Sequence, residues 1–231
     1  MSGIRENVRR ERGRERGITM IELLVVIAVI SVVAALAIPN LVRLQRNARL
    51  NGDAHNLAEV LSIAKMRAAA NFTESRVFLF TGTDKLQYFR VDVWSKTANG
   101  TGSAGCWVPD ADVNPSTNGS DCIGNSSYKG GEDFLSTGVS AGYGSLSTSP
   151  DTTVTFAQAT ACKQGQSGPT ATDGSTISDT SCIQFNSRGF PTASGGFYVT
   201  DGTRVYGIIA NSMGSIHSYV SGASTATWKA Y

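Results

Sequence analysis

Histidine is almost missing from this chain: 231 residues contain only His55 and His217. His55 falls in a helical stretch and His217 in a late strand rich in serine. Gly138-Val139-Ser140-Ala141-Gly142 has the letters G-x-S-x-G, but no helix pattern follows it as a nucleophile elbow requires, so hydrolytic chemistry has no framework here. The four cysteines (Cys106, Cys122, Cys162 and Cys182) include no C-x-x-C pair, which argues against a structural zinc site. No glycine-rich run lies between a strand pattern and a helix pattern, so no phosphate cradle is expected. Past residue 100 the only basic residues are Lys129, Lys163, Arg188, Arg204 and Lys229, too sparse for a phosphate-neutralising surface unless the fold gathers them. These absences leave no catalytic residue, metal or cofactor to expect, and nucleic acid is not an expected partner. They point instead to a structural or interaction role.

What the chain does have is one long apolar run. From Ile18 to Ile38 every residue is apolar or small except Thr19, Glu22 and Ser31. As a helix this run is ~31 Å long, close to the hydrocarbon thickness of a bilayer. Glu22 is out of place in it. An acidic side chain at the centre of a membrane helix costs roughly 2.5–3.5 kcal/mol, less near an end, and such a residue is a functional candidate that needs a partner. No cation follows within helical reach. A chain cut after Gly17 would supply one, because Ile18 would then carry a free ammonium. Glu22 would sit in the first turn of the new helix, where the dipole favours a carboxylate. In a packed array, the ammonium of one copy neutralises Glu22 of its neighbour.

Charge distribution sets the orientation. Residues 1–17 hold six arginines and three glutamates, while the remainder holds 14 basic and 15 acidic residues. Six arginines precede the helix and three (Arg43, Arg46, Arg49) follow it. The positive-inside rule therefore places the N-terminus in the cytoplasm and the C-terminal domain outside, in an oxidising space. An uncut membrane anchor is one competing reading. A secretory signal peptide is another, since Ala35-Leu36-Ala37 has the A-x-A form, but the apolar run is longer than a usual signal core and contains Glu22.

Gly17-Ile18-Thr19-Met20-Ile21-Glu22, between a basic leader and an apolar helix with Pro39, resembles the processing signal of type IV pilins and pseudopilins. The resemblance implies cleavage between Gly17 and Ile18 by a prepilin peptidase, N-methylation of Ile18, and assembly through Glu22 and Pro39. It further implies other pilin or pseudopilin subunits, an inner-membrane assembly platform and the lipid bilayer as partners. Ile18 departs from the family's usual phenylalanine.

Beyond Pro39, which should kink the helix, apolar residues recur at helical spacing: Leu41, Leu44, Ala48, Ala54, Leu57, Leu61, Ala64 and Ala68. The helix should reach about Ala70 with one face on a sheet. Strands are expected at Arg76–Phe80 and Leu86–Trp94, joined by the turn 81–85, with Phe89, Val91 and Val93 facing the core. Residues 95–150 read as a long polar surface excursion with one short strand pair. Further strands are expected at Thr152–Gln158 and Ser181–Asn186. A meander follows over Gly196–Thr200, Val205–Ala210 and Ser215–Val220, with turns at Ser187-Arg188-Gly189 and Asp201-Gly202.

An even number of cysteines in an exported domain suggests two disulfides. Three pairings are possible; Cys106–Cys122 and Cys162–Cys182 are preferred because each closes a local loop. Asp110, Asp112 and Asn114, with Asp121 at the twelfth position, have the spacing of a calcium loop, but Pro115 stands where glycine is required. This reads as a solvated acidic loop.

The run from Cys182 to Pro191, followed by Gly196–Thr200 and the strand through Ile208 and Ile209, resembles the C-terminal sheet of the GspH/FimT branch of minor pilins and pseudopilins. DNA-uptake members of that branch carry a late Gly-Arg-x-Arg motif; here Gly214-Ser215-Ile216-His217 lacks both arginines.

The expected fold is α+β, a long N-terminal helix packed on an antiparallel sheet. The expected organisation is a cleaved leader at 1–17, a membrane and assembly helix at 18–41, and a periplasmic globular domain at 42–231. The expected function is a structural subunit of a type IV pilus or type II secretion system, held in the bacterial inner membrane before assembly. A DNA-binding minor pilin and a major pilin are the alternatives.

Overall fold

The computed structural model describes residues 18–82, 84–95, 105–110, 131–152, 154, 156–163, 174–193 and 195–231. It is α+β: one long N-terminal helix, α1 (Met20–Asn71), packed against antiparallel β-structure. The chain divides into two compact units, Met1–Leu44 and Gln45–Tyr231.

Within the second unit, α1 buries Leu50, Ala54, Leu57, Leu61, Ala64 and Ala68. The spacing alternates between three and four residues, which keeps all six on one stripe of the helix. A buried leucine such as Leu57 contributes roughly 1.5–3 kcal/mol by leaving water. The alanines do a different job. At Ala64 the strand comes close enough for the Ser75 hydroxyl to donate to the helix carbonyl at 2.5 Å. The helix ends at Phe72, whose φ of 50° turns the chain left-handed, and the Thr73 N–H returns to the Ala68 carbonyl at 3.3 Å.

Two sheets share the core with this stripe, where a single sheet was expected. The first contains β1 (Ser75–Thr81), β2 (Gln87–Ser95), β3 (Cys106–Pro109), β4 (Asp133–Phe134) and β6 (Thr180–Phe185). Its path is β3-β2-β1-β6, with β4 also on β2. The second contains β5 (Ser140–Ala141), β7 (Gly195–Thr200), β8 (Arg204–Ala210), β9 (Ile216–Gly222) and β10 (Lys229–Ala230), ordered β10-β9-β8-β7-β5. Val77, Leu79, Phe89, Val91, Ile183 and Phe185 from the first sheet meet Phe197, Val199, Tyr206, Ile208 and Ala210 from the second, together with the helix stripe. Val93 packs at the margin of this cluster.

The chain changes sheet after β6 for a local reason. Asn186 N–H bonds the Phe190 carbonyl and Thr192 N–H bonds the Gln184 carbonyl, so the segment after Gly189 (φ 77°) folds back onto β6. Pro191 lies within this return and has no N–H to extend a ladder, and the chain leaves to start β7.

Among the described residues of 152–158, none lies in a named strand, where one was expected at Thr152–Gln158. Gln158 makes one isolated bridge to Gly196 and its side chain accepts from Tyr198 N–H at 3.0 Å. The other end of that β7 edge is occupied by β5, paired Ser140 with Thr200 and Ala141 with Val199. Val154 is buried, and Phe156 covers the face of the second sheet that points away from the helix. There Phe156 packs with Tyr143, Tyr198 and Trp228. Gly207, opposite Tyr198, leaves room for that ring: a Cβ there would stand 2.9 Å from it.

Candidate functional site

The N-terminal segment carries the features singled out from sequence. α1 begins at Met20 on a cap. The Thr19 hydroxyl accepts from Glu22 N–H at 3.3 Å, and the Thr19 carbonyl accepts from Leu23 N–H at 3.2 Å. Thr19-x-x-Glu22 has the spacing of a capping box, in which the N-cap hydroxyl satisfies one of the helix's orphan N–H groups. Thr19 was not singled out as a functional residue from the sequence, although the T-x-x-E spacing was there to find it. Glu22 thus has a fixed address in the first turn, where the free N–H groups favour a negative charge.

The rest of this segment is bare. Every residue from Ile18 to Arg46 is exposed except Ala34, which is half-buried. Leu23, Val26, Ile27, Ile30, Val33, Leu36 and Leu41 are all among the exposed large apolar side chains. Such a continuous apolar surface does not stay in water; it marks a site for lipid or for protein partners. The helix is long and apolar enough to cross a membrane. Ser31 inside the run and Asn40 just beyond it bond carbonyls of their own helix. Ser31 Oγ donates to the Ile27 carbonyl at 2.8 Å, and Asn40 Nδ2 to the Leu36 carbonyl at 3.3 Å. Pro39 lies within α1. Gly17 lies outside the described residues, as do Asp112, Asn114, Pro115, Asp121, Cys122 and Lys129.

In the second unit the sequence-derived candidates are dispersed. His55 is exposed and its Nε2 is 2.7 Å from the Tyr231 hydroxyl, which also bonds Asn51. His217 is exposed on β9. Asp110 accepts from Arg67 Nε at 2.7 Å. Cys162 and Cys182 form a disulfide with Cα atoms 5.2 Å apart. Cys106 is also disulfide-bonded. Arg49 donates to the Thr137 carbonyl at 3.5 Å.

A buried ionic cluster, absent from the sequence reading, lies on the face of the first sheet that points away from the helix. Arg76 Nε and Arg90 Nε donate to the two oxygens of Asp92 at 3.0 and 2.9 Å, and Arg90 Nη1 donates to Glu132 at 2.8 Å. Arg76 and Asp92 are fully buried. The Arg76 guanidinium lies 4.2 Å from the centre of the Trp107 ring. Burial pushes Arg76 down to about 10, against the opposing pull of Asp92, so it stays charged at neutral pH. Alternation along β1 and β2 places Arg76 and Phe78, like Arg90 and Asp92, on the non-core face, which reads as solvated until something covers it.

Asp53 is a second buried acid. It sits on the α1 stripe and accepts from Ser136 N–H at 2.9 Å and from Ser136 Oγ at 2.8 Å. Desolvation raises its carboxyl above the ordinary value, only partly offset by those hydrogen bonds.

Residues 12–38 match the prokaryotic N-terminal methylation motif. No curated protein and no solved structure matches the chain. The motif match supports a type IV pilin-like subunit of the kind processed by prepilin peptidase, and the apolar N-terminal helix is consistent with membrane anchoring.

Proposed function

We propose that the chain is a structural subunit, a minor pilin or pseudopilin, of a type IV pilus or type II secretion system. The observation that carries this reading is the bare apolar helix starting on the Thr19 cap with Glu22 in its first turn. The peptidase cuts between Gly17 and Ile18 on the cytoplasmic side and N-methylates Ile18. The mature chain waits in the inner membrane with the Gln45–Tyr231 unit in the periplasm, then enters the filament through the assembly platform.

Apolar surface is used twice in this scheme. It first dissolves the helix in the bilayer and then packs helices of neighbouring subunits together. Lipid offers the same apolar contact at any depth, so packing alone does not set the register. Glu22 does. A carboxylate in hydrocarbon costs roughly 2.5–3.5 kcal/mol at the centre of a span, and the α-ammonium of an adjacent Ile18 offsets that cost at one axial position only. Pro39 removes one helical N–H and loosens the helix where it leaves the apolar run.

Mass analysis of the intact native protein tests the first step. The expected result is a chain beginning at Ile18 and carrying one methyl group. A chain that keeps its arginine-rich leader, or one that starts near residue 38, overturns the proposal.

A further inference from the structure

A cavity of about 440 Å³ opens beside the first sheet, within the size range of small-molecule sites. Its walls include Arg76, Lys163, Thr160, Thr176, Gln184 and Thr192, and no described lining residue is acidic. The two cations are held differently. Lys163 is exposed, and its Nζ is steadied by the Thr176 hydroxyl at 3.0 Å. Arg76 is locked: Nε faces Asp92 at 3.0 Å and Nη1 faces the Lys163 carbonyl at 2.7 Å. The remaining nitrogen, Nη2, is buried and has no hydrogen-bond partner among the described residues. A buried charged donor left without an acceptor is costly, and native structures rarely keep one without a reason.

Asp92 is shared with Arg90, which also holds Glu132, so the cluster is charge-balanced and Arg76 offers the cavity its Nη2 donors rather than a surplus charge. The Gln184 amide nitrogen is committed to Glu74. What remains is a fixed guanidinium N–H pair, an exposed ammonium and the hydroxyls of Thr160 and Thr176, with that of Thr192 given to the Gln184 carbonyl, around a space larger than a simple ion needs. The bridge from Lys163 to Thr176 and the Cys162–Cys182 bond hold the wall in place.

We infer that this cavity binds an oxyanion carried on a small hydroxylated molecule, such as the carboxylate of an acidic monosaccharide. The anion takes the Arg76 and Lys163 donors, and the threonine hydroxyls take the ligand's hydroxyl groups. One guanidinium edge is already occupied, so recognition at Arg76 is single-point rather than bidentate. The site is separate from the helix that drives assembly, and would let a subunit in a filament or its tip capture such a ligand.

Isothermal titration of the full chain in non-ionic detergent micelles, with glucuronate, inorganic phosphate and glucose as probes, tests it. The expected result is saturable, salt-sensitive binding of glucuronate at one site per chain, with none for glucose. Inorganic phosphate binding as tightly as glucuronate also supports the oxyanion site and assigns its occupant to the free ion. Lys163→Gln, an exposed change that leaves the fold intact, should weaken binding about tenfold through loss of a charged hydrogen bond. Arg76→Lys, checked for folding by its melting curve, should abolish it. Where that variant does not fold, Thr176→Val serves in its place and should weaken binding. Binding of no anion, binding equal to that of glucose, or binding that Lys163→Gln leaves unchanged overturns the inference. None of these results depends on N-terminal processing.

Discussion

Replacing Asp92 with asparagine isolates the energetics of the buried ionic cluster. The carboxylate is fully buried and its two oxygens each accept from a different guanidinium, Arg76 at 3.0 Å and Arg90 at 2.9 Å. Asparagine keeps the volume but removes the charge, and one of its two polar atoms becomes a donor facing a donor. Arg90 retains Glu132; Arg76 loses the one carboxylate it pairs with among the described residues. Breaking a buried pair by neutralising one partner costs ~3–5 kcal/mol, because a desolvated charge is left behind. For a unit the size of Gln45–Tyr231, each kcal/mol moves Tm by about 2–4 °C, so a fall of roughly 6–20 °C is expected. The assay is thermal and urea unfolding of the full chain in non-ionic micelles. Near-ultraviolet circular dichroism should be the readout, because the Trp107 ring beneath Arg76 reports the local packing. The Arg76→Met, Asp92→Asn double variant completes the cycle: it should lose much less than the sum of the single changes. A cost below about 1 kcal/mol for Asp92→Asn, in the range of exposed pairs, would show that water reaches the cluster and would refute the reasoning.

Glu22→Gln should leave cleavage and methylation intact and abolish incorporation into filaments, measured by mass analysis and by recovery of the subunit in sheared filament fractions; normal incorporation removes the pairing mechanism. Replacing Cys162 and Cys182 together with serine opens a loop of sequence separation 20. The chain-entropy cost is roughly 3 kcal/mol, read as a lowered melting temperature, and an unchanged melting curve would contradict it. Asp53, whose folded-state carboxyl is raised by burial, contributes stability that is fully present below its ordinary value and lost as pH rises through the raised value. The stability of the native chain minus that of Asp53→Asn should therefore be largest in acid and shrink toward neutral pH in urea titrations. A difference that grows with pH would mean that the Ser136 hydrogen bonds outweigh desolvation.

Elements with their own periodicity were legible in the sequence. The helix stripe, the β1–β2 hairpin and the β7–β9 meander all bury an alternating or helical set of apolar residues, and each was placed to within two residues at either end. Thr152–Gln158 shows the limit of that logic. Its alternating Val154 and Phe156 do go inside, yet the edge that would pair with its backbone is partly taken by β5, and Ser140-Ala141 carries no strand pattern of its own. The division into two sheets was equally hidden, since it rests on a return through Pro191 that only the hydrogen bonds reveal. At the N-terminus the sequence was informative because the signal there is chemical: an acid in an apolar run is out of place in any fold. The Arg76–Asp92–Arg90 cluster was not legible, since a charged strand face looks the same whether water or another segment covers it.

The insertion after β2 has a consequence for solubility. β2 is a nine-residue strand, and on the side away from β1 its rim is closed at both ends. β3 pairs with Asp92–Ser95 and β4 with Tyr88 and Phe89. Between and beyond them, the carbonyls of Val91 and Gln87 accept from Asp110 and Leu135. A long strand with an open rim invites its counterpart in another molecule to zip onto it, which leads to disordered aggregates. Here two short strands, the buried Cys106–Pro109 and the exposed Asp133–Phe134, occupy that rim. If the chain assembles as proposed, a closed rim on β2 removes one unwanted route by which copies could join.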